Sequence, residues 1–176
     1  MKKNHPYVMA YREVANRLIN YVINNYSSDY QNAIQLYLPS CYLYRTAVEL
    51  IIKEIWLYDV DINNHVCLET LDKQKHSLSG MFGKIKKWIY KTYDDKNDID
   101  KKAFLDEVEK YCNNLQSYDR DAKKFRYPCN NKMNVYFDQF IELDICNVKE
   151  YMERLVSSLE CVSLELNSRK QCDFLL

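Results

Sequence analysis

The chain has 176 residues, with 25 basic and 25 acidic side chains but only 2 glycines and 3 prolines. Sandwiches and barrels turn often and tightly on those two residue types, so their scarcity excludes such folds and leaves long helices with few connections. A formal charge of zero argues against a duplex-DNA binder, which needs a marked basic excess.

The first helix is predicted over about 7–26, with Tyr11, Val14, Ala15, Leu18, Val22 and Tyr26 on one inward face. "SSDYQ" then reads as a capping box, Ser28 as N-cap and Gln31 three residues on. The second helix runs from there to about 58, with a kink or break near Leu38 because Pro39 lies inside it. In its second half Cys41, Tyr44, Ala47, Val48, Ile51, Ile52 and Ile55 form one apolar arc, extended by Leu43 and Leu50. Residues 59–76 read as a connection.

A third helix covers about 78–93, with Phe82, Ile85, Trp88 and Ile89 inward. A fourth covers about 98–117, with Phe104, Leu105, Val108, Tyr111, Cys112 and Leu115. The loop "YDRDAKKFRYP" follows. In it, Asp119 is placed to cap a short turn at 120–124, Phe125 and Tyr127 to pin the loop to the bundle, and Pro128 to stop it. The last helix runs from about 135 to 167 on the seam Val148, Met152, Leu155, Leu159, Val162 and Leu166. There is no repeat and no linker. The reading is one domain, 1–176, folded as an all-α, up-and-down bundle of five main helices. The last helix is longer than the first, and with "CDFLL" at its end it is expected to overhang and pair in a homodimer.

Arg45, Glu49 and Lys53 step along the second helix at four-residue intervals. They read either as a row of exposed ion pairs or as a groove in which Arg45 holds a phosphate or carboxylate while Glu49 fixes its angle. His76, just before the third helix, either caps and packs or moves protons; it is the candidate catalytic residue. Lysines 73, 75, 84, 86, 87 and 91 form one basic segment, and Arg120, Lys123, Lys124, Arg126 and Lys132 a second. The last helix carries compensating acids, including Glu150, Glu153, Glu160 and Glu165. Such poles suit an acidic ligand or a charged partner, or are simply solvated faces. No Gly-rich phosphate loop, G-x-S-x-G or H-E-x-x-H occurs.

Seven cysteines (41, 67, 112, 129, 146, 161 and 172) are scattered without a C-x-x-C, so no disulfide, metal or cofactor is expected. Free thiols suit a reducing cytoplasm. No apolar run approaches the length of a membrane span. The beginning "MKKNHPYVMAYREV" is interrupted by Arg12 and Glu13 and does not read as a signal peptide.

Taken in order, "YLPSCYLYRTAVELIIKEIW", "KHSLSGMF", "YDRDAKKFRYP" and the long final helix resemble a bacterial branch of the HEPN superfamily over roughly residues 30–165. In that branch a proline precedes a Leu-x-Arg helix that continues with Glu and Lys, a His-x-Leu motif opens the next helix, and a "D…FRYP" stretch follows the fourth. The resemblance implies a helical bundle, often dimeric, of the kind found in toxin–antitoxin, phage-defence and RNA-processing systems. Many such proteins are metal-independent ribonucleases whose motif is an arginine, four to six residues, then a histidine. No arginine of this chain has a histidine at that distance. The expectation is a HEPN-like protein that binds RNA, a nucleotide or a protein partner without standard HEPN ribonuclease activity. The ligand-binding candidates are Arg45, Glu49, Lys53, His76, Asp119 and Arg126. The alternative is a divergent endoribonuclease assembled from Arg45, His76 and Arg126. A third reading is an accessory subunit docked through its acidic last helix.

Overall fold

A computed structural model describes residues 6–56, 76–93, 98–120, 122–127, 132–133 and 145–173. Within them lie five helices and no strand: α1 (Pro6–Asn25), α2 (Tyr30–Glu54), α3 (Leu78–Tyr93), α4 (Ile99–Tyr118) and α5 (Ile145–Asp173). The fold is all-α. α1 packs on α2 and α3 on α4, and α5 lies against α1, α2 and α4. α2 is the hub, touching α1, α3 and α5.

The helices start where short polar side chains relieve unpaired amides. Ser77 Oγ accepts from Gly80 N at 3.2 Å at the start of α3, and the Asp98 carboxylate accepts from Lys101 N at 3.1 Å at the start of α4. At α2 the expected capping box does not form. The last turn of α1 continues through Ser28, whose amide and hydroxyl both turn back to the Asn25 carbonyl. Asp29 takes the N-cap position instead, without a side-chain cap. α2 then runs through Pro39 without a break. The buried Tyr37, Cys41 and Tyr44 on either side hold the helix line, and Ser40 Oγ donates to the Tyr37 carbonyl at 2.6 Å.

The expected arc of α2 is the centre of the core: Cys41, Tyr44, Ala47, Val48, Ile51, Ile52 and Ile55 are buried, while Leu43 and Leu50 are only partly covered. α1 faces inward with Val8, Ala15, Ile19 and Val22, so Val14, expected inside, stands outside. The seam of α5 belongs to this chain's own core. Met152, Leu155, Leu159, Val162 and Leu166 are buried within the single chain. The expected first turns of that helix, at about 135–144, and the last three residues of the "CDFLL" tail, 174–176, lie outside the described residues, as does the connection at 59–75.

Polar side chains tie the frame between helices. Arg12 of α1 bonds Glu153 of α5 at 2.5 Å and Glu160 at 3.2 Å. Asn16 donates to Glu153 and accepts from the Tyr44 hydroxyl of α2. Tyr151 of α5 donates to the Tyr111 carbonyl of α4 at 2.6 Å.

Candidate functional site

One side of α2 meets the start of α3 and the loop after α4, and Arg45 sits at that junction, 1 % exposed. Its Nη1 donates to Glu49 Oε2 at 2.8 Å, its Nη2 to the His76 carbonyl at 2.8 Å, and its Nε to the Asp119 carbonyl at 3.2 Å. The Asp119 carboxylate lies 3.5 Å from the same Nε. A planar fork with several fixed donors can join three stretches of chain in this way, which a lysine cannot. The strip Arg45–Glu49–Lys53 is therefore not a row of exposed ion pairs: its first two members are buried.

Glu49 passes the network outward. Its Oε1 accepts from Lys53 Nζ at 2.6 Å and faces His76 Nδ1 at 2.9 Å. Burial pushes the Glu49 carboxyl up, but the hydrogen bonds from Lys53, His76 and Arg45 outweigh it and hold the group below the ordinary glutamate range. An ionised Glu49 places the proton of a neutral imidazole on Nδ1 and leaves Nε2 as the acceptor. Nε2 has no hydrogen-bond partner among the described residues. The His76 side chain is 51 % exposed and that of Lys53 31 %. A carboxylate-oriented imidazole open to solvent can contact an anion or move a proton.

Asp119 closes the network from the other side. It is fully buried, and its Oδ1 accepts from Lys123 N at 2.7 Å and Lys124 N at 2.9 Å. These two bonds wind the loop so tightly that Ala122 takes φ 57°, a left-handed conformation a non-glycine residue adopts only when its surroundings impose it. Phe125 packs against the core, whereas Tyr127, expected to pin the loop, is exposed. Arg126 is exposed too and stacks 4.8 Å from the Tyr127 ring centre and 5.9 Å from that of Tyr42. Pro128 lies outside the described residues.

Five of the six candidate residues (Arg45, Glu49, Lys53, His76 and Asp119) thus share one connected network. Arg126 rides on the loop that Asp119 ties down, but its contacts are with the Tyr42 and Tyr127 rings rather than with His76 or Arg45. Two contributors escaped the sequence reading. Gln116 accepts from Leu78 N at 2.7 Å and donates to the Arg120 carbonyl at 2.6 Å, joining the start of α3 to the loop. Tyr42, one turn before Arg45, supports Arg126. A glutamine one turn before a loop aspartate, and a tyrosine on the polar side of a helix, were the only signals of these roles.

The charge pattern beyond the network is unequal. On α5, Glu150 pairs with Arg154, Glu153 and Glu160 with Arg12, and Glu165 with Arg169 and Lys101. On α3, Lys86 is bound between Asp106 and Glu109. Lys84, Lys87 and Lys91 share the face of α3 opposite Phe82, Ile85 and Ile89 and have no ion pair among the described residues. No cluster of three or more histidine, cysteine or acidic groups suited to a metal occurs among the described residues. Cys41, Cys112, Cys146 and Cys161 are free thiols, the first two buried. Neither a family model, nor a curated protein, nor a solved structure matches the chain.

Proposed function

We propose that this chain is a HEPN-like helical protein that binds single-stranded RNA through its phosphates, on the surface formed by Lys53, His76 and the lysine stripe of α3, without standard HEPN ribonuclease chemistry. The observation that carries this reading is the imbalance of pairing. The acids of α5 are engaged by the chain's own arginines, while Lys84, Lys87 and Lys91 are left for an outside anion. Their span of seven residues is about 10 Å at 1.5 Å per residue, more than one phosphate group can cover. That length favours a polymer over a mononucleotide. His76 stands at the head of the same helix, where the aligned peptide dipoles also favour negative charge. Arg45 does not compete for the ligand, because its donors are committed inside the fold. A place in a prokaryotic defence or toxin–antitoxin system is what the sequence resemblance adds.

Fluorescence anisotropy with an end-labelled single-stranded RNA tests the reading. The wild type is expected to bind, and the triple variant Lys84→Glu/Lys87→Glu/Lys91→Glu to bind at least tenfold more weakly with an unchanged circular dichroism spectrum. Equal affinity for both proteins would refute it.

The Glu49–His76 contact at 2.9 Å favours a second reading, a divergent metal-independent endoribonuclease with His76 as general base. Under it, the wild type cleaves RNA in the presence of a chelator and His76→Ala does not. Under the binding reading neither protein cleaves.

A further inference from the structure

α1 carries an apolar stripe that the described residues of its own chain leave open. Tyr7, Val14 and Tyr21 are 71, 46 and 41 % exposed. They recur every seven residues, so in a helix of 3.6 residues per turn they lie along one strip about 21 Å long. The inward residues of α1 are Val8, Ala15, Ile19 and Val22, and the side toward α5 is taken by Arg12 and Asn16. A row of large aromatic and branched side chains facing water marks an interface more often than chance exposure does, and tyrosine is enriched in such contacts.

The stripe is symmetric about its middle. If a second α1 lies antiparallel across it with a two-fold axis at Val14, each Tyr7 meets the other copy's Tyr21 and Val14 meets its own counterpart. The charges beside the stripe ask for nearly the same axis. Glu13 and Arg17 are well exposed and are paired with each other at 2.7 Å. Their midpoint is residue 15, about 1.5 Å along the helix from Val14. The same antiparallel docking therefore brings Glu13 of each copy to Arg17 of the other. An apolar row and a charge pair whose two-fold centres lie one residue apart make a surface nearly complementary to itself, the condition for an isologous contact.

We propose that the outer face of α1 is a homodimer interface, two copies meeting antiparallel across Val14. It does not rest on the RNA-binding reading, which concerns α3, and its test reads mass rather than affinity. This contact lies on α1, where Val14 is turned outward, whereas the one expected from sequence lies at the end of the last helix.

Light scattering on eluting protein at micromolar concentration decides the matter. The wild type is expected at twice the chain mass of 21.2 kDa. Val14→Glu and Val14→Lys place like charges together at the axis and should each run at the single-chain mass. Val14 is about half exposed, so both should keep the wild-type helical spectrum and a single cooperative urea transition. Mixing the two variants should restore the doubled mass, because glutamate then faces lysine. A monomeric wild type overturns the proposal. So does a dimer that survives Val14→Glu, and so does a mixture that stays monomeric, which would mean that residue 14 does not face itself.

Discussion

Arg45 commits three of its donors to a side chain and two backbone carbonyls from separate stretches of the chain, in a position closed to water. Removing it leaves Glu49 and Asp119 as buried carboxylates without their shared cation, a loss that typically costs about 3–5 kcal/mol. Arg45→Met is expected to lose stability on that order in urea unfolding. His76→Ala, at a half-exposed side chain, should change it by about 0.5 kcal/mol or less. An Arg45→Met midpoint equal to wild type would remove the keystone from the account. Glu49 adds a pH dependence. Its folded pKa lies below its ordinary value of 4.5, so it contributes stability above that pH and loses the contribution as pH falls through the lower folded value. Glu49→Gln should flatten the acid limb of the stability curve, measured between neutrality and pH 3. The i, i+4, i+8 strip was legible in sequence as spacing. Its burial was not, because two of the groups that enclose Arg45 are backbone carbonyls of His76 and Asp119, which no side-chain pattern announces.

At the scale of elements, the helices were legible and their ends less so. Leucine, isoleucine and tyrosine at three- and four-residue spacing identify α2 whatever lies inside it, and tertiary packing carries α2 past Pro39, which propensity alone would make a break. That proline still lacks an amide donor and crowds the preceding turn. Pro39→Ala is accordingly expected to raise stability by about 1 kcal/mol or more, read as a higher urea midpoint with an unchanged slope. A lower midpoint would mean that the core depends on a bend at this point. The α1–α5 clamp was hidden because Arg12 and Glu153 are 141 residues apart. Hydrogen bonds to charged groups contribute about 1.5–3 kcal/mol. A double-mutant cycle between Arg12→Ala and Glu153→Ala should therefore give a coupling above about 1 kcal/mol, and additive effects would contradict the clamp.

For the whole molecule, glycine and proline scarcity carried the fold class, and heptad spacing located the α5 seam. Spacing does not say whether a seam closes a chain on itself or joins two chains; that depends on how α1, α2 and α4 gather around it. Leu159→Glu is expected to unfold the protein rather than produce a folded monomer, since the residue is fully buried in one chain. A helical, cooperatively unfolding Leu159→Glu variant would place the seam at an interface after all. The proposed RNA binding draws on the unpaired α3 lysines together with the partly exposed Lys53, and the salt dependence of binding tests it. Four lysines, 53, 84, 87 and 91, displacing counterions from a single strand should give a slope of about −3 in log affinity against log salt. That slope is expected for the wild type, and one of about −1 for the triple α3 variant. Binding that ignores salt, or a slope unchanged by removing the three α3 lysines, would contradict it.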